Sequence, residues 1–229
     1  MMRIDILTLF PGMFAGPFQE SIIKRAQEKR LLEICLHDIR DWTTDKHRTV
    51  DDTPYGGGPG MVMRVDVVHR ALEAVVAGGS PKKRGVRRIL LSPQGRVFDQ
   101  KVAREYAKLR RLVFVCGHYE GIDQRICEYV DEELSLGDYV LTGGELAAMV
   151  VTDAVTRLIP GVVGTYESVE KESFTENIFD YPQYTRPREY QGREVPAVLL
   201  SGHQKNIDTW RRQQAEELTC RRRPDLLKK

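Results

Sequence analysis

Three short strand-like runs, Arg88–Leu91, Leu112–Cys116 and Glu132–Leu136, each pass directly into a glycine-bearing turn. The turns read LLSPQGRVFDQ (Leu90–Gln100), VCGHYEGID (Val115–Asp123) and SLGDYVLTGGEL (Ser135–Leu146). This recurrence constrains the fold more than any other feature. Short buried strands that alternate with helices belong to α/β domains, and in an open α/β sheet ligands bind beyond the carboxyl ends of the strands. Glycine in those turns lets the backbone approach a ligand and present bare N–H and C=O groups. One such turn is ordinary; three together predict a single pocket.

The surrounding chain fits that frame. Ile4–Phe10 and Leu32–Asp38 read as further strands, and Gly16–Lys29, Val65–Ala77 and Asp99–Lys108 as helices. In Val65–Ala77 the apolar residues Val67, Val68, Ala71, Leu72, Val75 and Val76 recur at helical spacing. A further helix runs from about Gly144 to Ile159 and is stopped by Pro160-Gly161. From Gly161 to about Tyr181 the chain turns polar and acidic (YESVEKESFTEN) and loses its periodicity; Gln204–Lys229 then reads as a basic helix. The expected organisation is an α/β body over 1–161, a flexible linker over 162–177 and a small helical domain over 178–229.

Composition excludes several classes. With 41% hydrophobic and 30% charged residues, the 229-residue chain is able to bury a core. Its four cysteines form no C-x-x-C pair, which points away from a disulfide framework or zinc site and toward a reducing compartment. MMRIDILTLFPGMF carries charge too early for a secretory signal, and no apolar run reaches the roughly 18 residues of a membrane span. A soluble, cytoplasmic protein without a membrane partner is expected. The net charge of +2 is small, but its distribution is not even. From Asp208 onward seven Lys/Arg face four acids, and KKRGVRR (Lys82–Arg88) holds five cations and no acid. Such patches attract phosphate backbones, although solvated basic surface explains them equally well.

Familiar catalytic signatures are missing. DDTPYGGGPGMVM (Asp51–Met63) is no Walker A loop, and Met61 occupies the position where G-x-G-x-x-G requires its last glycine. The five histidines lack metal-ligand spacing, and there is no G-x-S-x-G. Flanked by Lys46, His47 and Arg48, the GGGPG loop is suited to a nucleic-acid backbone or an extruded base. Glu167, Glu170, Glu172 and Asp180 are candidate bases on residue type alone, and Arg157 sits late in an otherwise apolar helix.

In order along the chain, DKHRTVDDTPYGGGPGM, LSPQGR-x-x-DQ, CGHYEGIDQR, GDYVLTGGELAAM, IPGV, ESF, YPQYTRP, VLLSGH and RRPDLL closely resemble the bacterial tRNA (guanine-N1)-methyltransferase family, of the TrmD type and SPOUT class. The resemblance implies an α/β domain with a trefoil knot in its backbone, a fold that breaks ordinary connection rules and is not readable from periodicity. It implies S-adenosylmethionine held by the knot loops, a homodimer with shared active sites, and tRNA as substrate, methylated on the guanine at position 37 beside the anticodon to maintain the reading frame. By motif, Leu90, Pro93, Gly117, Tyr119, Glu120, Ser135, Leu136, Gly137, Tyr139, Leu141, Gly143 and Gly144 would bind the cofactor. Arg157 and Glu172 would be catalytic, with Glu172 as base and Glu170 and Asp180 as alternatives. Lys46, Arg48, Gly58, Ser173, Asp180, Arg211 and Arg221 would meet the tRNA. Glu172 stands where well-known members carry aspartate. Magnesium assists family members, but no acid cluster in the sequence identifies a site. A non-catalytic RNA-binding module, a nicotinamide dehydrogenase and a SPOUT enzyme with another RNA target are the competing readings.

Overall fold

The computed structural model describes residues 1–77, 85–164 and 172–228. It divides into two compact units, Met1–Gly164 and Thr165–Lys229.

The first unit contains β1 (Met2–Thr8), α1 (Ser21–Glu28), β2 (Leu32–Asp38), β3 (Asp51–Asp52), β4 (Val62–Met63), α2 (Val65–Val76), β5 (Val86–Val97), α3 (Gln100–Ala107), β6 (Arg111–Cys116), β7 (Glu132–Ser135) and α4 (Glu145–Thr156). Five strands make one sheet in the order β2-β1-β6-β5-β7, parallel throughout. A parallel sheet must be covered on both faces, and alternation along the strands supplies both cores. Ile4, Ile6, Ile89, Leu112, Phe114 and Leu134 pack with α1, α3 and α4; Leu7, Leu90, Val113 and Val115 pack with α2. Local signals fix the elements around it. Asp99 caps α3 by accepting a hydrogen bond from Val102 N (2.9 Å). The chain leaves α1 through Arg30 at φ 55°, so that Leu31 N reaches Ala26 O (2.9 Å).

Some boundaries depart from the expectation. The strand expected over Arg88–Leu91 runs from Val86 to Val97 and is interrupted rather than ended, since Leu91 and Arg96 both pair with Leu134. Pro93 has no N–H to give the ladder, and the intervening residues bulge out of the sheet. Gly95 brings the strand back against β7, where a Cβ would stand 2.3 Å from the Glu133 carbonyl carbon and the Leu134 nitrogen. The first helix begins at Ser21 because Pro17–Gln19 forms a separate 3-10 turn and Ser21 itself has φ 49°.

In the second unit a hairpin joins β8 (Glu189–Tyr190) to β9 (Arg193–Glu194) through Gln191 and Gly192, both at positive φ. Helix α5 (Gln204–Arg222) buries Ile207, Ala215 and Thr219. It stops before the end of the expected helix because Arg223 precedes Pro224, which disfavours the helical conformation, and Arg223 lies at φ −143°, ψ 63°. Phe179 N donates to Thr219 Oγ1 (2.9 Å), which docks the chain before the hairpin onto α5.

Candidate functional site

The turns after β5, β6 and β7 meet around one cavity of about 340 Å³ in the first unit. Residues 90–94 form one wall, 117–122 with Gln124 the second, and 133–136 with 139–144 the third, and Ala147 of α4 completes the lining. Backbone bonds lock the turns together. Gly144 N donates to Gly117 O (2.9 Å), joining the third turn to the second. Ser135 Oγ accepts from Gly137 N (3.1 Å) and donates to Gly137 O (3.2 Å), closing the start of the third. At Gly144 a Cβ would stand 2.7 Å from Cys116 Cα, so this crossing of α4 over the end of β6 needs glycine. The GGGPGM segment supports the second turn from outside: Glu120 N donates to Met61 O (3.0 Å), Met63 N to Gly121 O (2.9 Å) and Asp123 N to Met63 O (3.0 Å). The Glu120 side chain lies directly against Gly60.

The sequence-derived cofactor residues therefore occupy one place. Leu90, Pro93, Gly117, Tyr119, Glu120, Ser135, Leu136, Tyr139, Leu141, Gly143 and Gly144 all line the cavity; Gly137 does not, and instead serves the Ser135 turn. Sequence reasoning missed Gln94, His118, Ile122, Cys127, Glu133 and Ala147. All but Cys127 lie in or directly beside the strands and turns already singled out, so adjacency was a usable signal. Cys127, in the 3-10 turn Gln124–Glu128 between the second turn and β7, joins the lining through the fold. At Cys127 burial, then the Glu133 carboxylate, pushes the thiol up, which disfavours the reactive thiolate. Burial does the same to Cys116.

The remaining candidates lie elsewhere. Arg157 closes α4 at its far end, twelve residues beyond Glu145, and is half-buried. In the second unit Glu172, Ser173 and Asp180 gather in one turn: Thr175 N donates to Glu172 O (3.2 Å), Asp180 N to Ser173 Oγ (2.9 Å) and Tyr181 N to Asp180 Oδ1 (2.8 Å). Glu167 and Glu170 lie outside the described residues. Lys46 is exposed, Arg48 is tied to Asp41 and Asp38, and Gly58 sits on the exposed loop at φ 124°.

The basic patches are less free than their sequence suggests. Arg87 pairs with Glu132 (3.1 Å) and Arg88 with Asp131 (2.8 Å), while Lys82, Lys83 and Arg84 lie outside the described residues. In α5, Arg212 pairs with Glu176 and Glu216, Arg211 pairs with Asp208 (3.7 Å) and stacks over Tyr181 (4.7 Å), and Arg221 is exposed. Among the described residues no group of three or more His, Cys, Asp or Glu is arranged to hold a metal, and no helix is long and apolar enough to cross a membrane.

A sequence model of the family described as tRNA (Guanine-1)-methyltransferase TrmD matches residues 2–229. The chain belongs to this family. Among its relatives, proteins named tRNA (guanine-N(1)-)-methyltransferase are 58% identical in Chloroflexus aggregans and 57% identical in Geobacter sulfurreducens. These matches cover 99% and 100% of this chain, and 88% and 92% of the relatives. The namesake from Dictyoglomus turgidum is 52% identical over all of this chain and 91% of its own length. Membership along the whole length gives the mixed α/β fold and its pocket of strand-end turns a family context.

Proposed function

We propose that the protein transfers a methyl group from S-adenosylmethionine to N1 of the guanine at tRNA position 37, next to the anticodon, in the cytoplasm. The observation that carries this reading is the convergence of three strand-end turns on one cavity, in a chain that matches the methyltransferase family from end to end. The lining suits the donor. Leu90, Leu91, Pro93, Leu136 and Leu141 offer apolar surface for an adenine ring, and Glu120 and Glu133 offer negative charge for a sulfonium and an ammonium. S-adenosylmethionine, when bound, supplies an electrophilic methyl on sulfur.

The chain's own residues must do the rest. Guanine N1 carries a proton, so its lone pair becomes available only when a base removes it, and negative charge then grows toward O6. Glu172 takes the N1 proton and Arg157 stabilises the charge at O6. Ser173 and Asp180, bonded to each other through Asp180 N, hold the turn that carries Glu172. Lys46, Arg48, Gly58, Arg211 and Arg221 contact the tRNA, with the second unit as the main tRNA-binding domain. The target guanine lies in an unpaired loop, so drawing it from its stack costs only a few kcal/mol.

The active form is a homodimer with shared active sites, and α4 supports this. The helix is apolar nearly all round, yet Leu146 and Val150 are about half exposed, with Val140 standing out beside its start. Arg157 lies roughly 18 Å along the axis from Glu145 at the pocket, which a second subunit would bridge. A trefoil knot is supported by the path of the chain. It leaves edge strand β7 and returns across the end of central strand β6, where Gly144 presses on Cys116.

Titration calorimetry with S-adenosylmethionine, followed by methyl transfer to tRNA carrying guanine or adenine at position 37, tests the proposal. Donor binding with transfer only to the guanine form is expected. RNA binding without donor binding would replace it with a non-catalytic module, and transfer to another base would move the target.

A further inference from the structure

The charge inventory of the pocket is lopsided. Its described lining contains the carboxylates Glu120 and Glu133, the weak acids Tyr119, Tyr139 and Cys127, and no lysine or arginine. His118 is the one described lining residue able to carry positive charge. S-adenosylmethionine has two cationic groups, its sulfonium and ammonium, and one anionic group, its carboxylate. The acids answer the first two. The carboxylate needs a donor of opposite sign.

The placement of His118 answers that need. Its ring packs between Phe10 (centroids 4.8 Å) and Tyr119 (5.4 Å, edge-on), and the Arg40 guanidinium lies on the same Phe10 at 5.6 Å. Nδ1 is fully buried and has no hydrogen-bond partner, and it faces Glu145 Oε2 at 4.0 Å. Glu145 is itself 1% exposed, in the first turn of α4, and its other oxygen accepts from Thr8 Oγ1 (2.7 Å). Gly143 lies between the two side chains, where a Cβ would stand 2.4 Å from Glu145 Oε2 and 2.5 Å from His118 Nδ1. A carboxylate so deeply buried calls for a polar partner, and the His118 ring is the polar side chain that faces its second oxygen. Nδ1 is buried while 23% of the side chain remains exposed, and His118 lines the cavity.

We infer that His118 donates from Nε2 to the carboxylate of the donor's amino-acid arm, while Glu145, held by Thr8, fixes the ring from behind. His118 is thus a donor-binding residue and Glu145 a positioning residue. The inference rests on the proposal that this pocket takes S-adenosylmethionine.

The test compares two ligands by calorimetry on the full-length protein. S-adenosylhomocysteine and 5′-methylthioadenosine share the nucleoside and the thioether, and only the first carries the carboxylate. His118→Asn is expected to weaken S-adenosylhomocysteine by about 10- to 100-fold, the range for losing a hydrogen bond to a charged group. The same variant should leave 5′-methylthioadenosine within about twofold, a retained affinity that also reports an intact pocket. His118→Lys should restore much of the lost affinity. Equal losses for both ligands would reduce His118 to a shaping residue and overturn the inference, as would no loss for either. Failure of the unaltered protein to bind either ligand would instead bring down the pocket assignment itself.

Discussion

Replacing Gly95 by alanine tests the link between sheet geometry and pocket most directly. The added methyl would stand 2.3 Å from the Glu133 carbonyl carbon, 2.3 Å from the Leu134 nitrogen and 2.6 Å from the Glu133 oxygen. All three atoms are backbone, so no side chain can turn away to make room. Ordinary van der Waals separation begins near 3.4 Å, and β5 and β7 would have to separate by about 1 Å, a large fraction of the slack in a 4.7–4.9 Å strand spacing. Overpacking against rigid backbone lies at the top of the usual range, about 3 kcal/mol, and subtracting the unfolded-state gain of Gly→Ala, about 0.5–1 kcal/mol, leaves about 2–2.5 kcal/mol. At about 2–4 °C per kcal/mol for a unit of this size, that lowers Tm by about 4–10 °C. The same displacement moves residues 92–94 at the pocket wall, so donor affinity should fall together with stability. Gly16→Ala is the control. That glycine has φ −70° and nothing within 4 Å of its would-be Cβ, so alanine there should be neutral or stabilising by up to about 1 kcal/mol. Urea unfolding of both variants, with calorimetry on the donor, decides the matter. A Gly95→Ala protein within about 0.5 kcal/mol of the parent would refute the close-approach argument.

Burial alone would raise the Asp5 carboxyl, but hydrogen bonds from His37, Arg3 and Arg111 overcome it and hold the group well below the usual carboxylate range. Its stabilisation is thus complete above the unfolded value of about 3.9 and is lost as pH falls below it. Asp5→Asn should cost about 3–5 kcal/mol at neutral pH, and the gap from the parent should narrow on acidification; a constant gap in circular-dichroism acid titrations would contradict this. Glu172→Gln should slow single-turnover methylation by about 100-fold or more while leaving donor binding unchanged. Near-parental turnover would remove Glu172 from the base role. Reversing Arg221 to glutamate should lower tRNA affinity and reduce the slope of log affinity against log salt by about one for each phosphate no longer neutralised. An unchanged slope in filter-binding titrations would place the tRNA elsewhere.

Much of the site was legible in the chain because its residues cluster in three short windows, each following a strand. Leu32–Asp38 and Val65–Val76 were readable for a similar reason: local periodicity and local stop signals settle them. The length of β5 was not, since the pairing of Arg96 and Val97 with β7 depends on a strand some forty residues later. Neither was the neutralisation of Arg87 and Arg88 by Glu132 and Asp131, which makes the basic run look more available in sequence than it is in space.

Sequence alone therefore settled where the main strands and helices lie, that glycine turns follow three of the strands, and which family the motifs resemble. Each of these is encoded within a few neighbouring residues. Only the tertiary structure decided that the turns share one cavity, that Gly95 and Gly144 are required by backbones packed against them, and that His118 meets a buried Glu145. Those facts arise from atoms distant along the chain coming within a few ångströms, and no pattern of nearby residues carries that information.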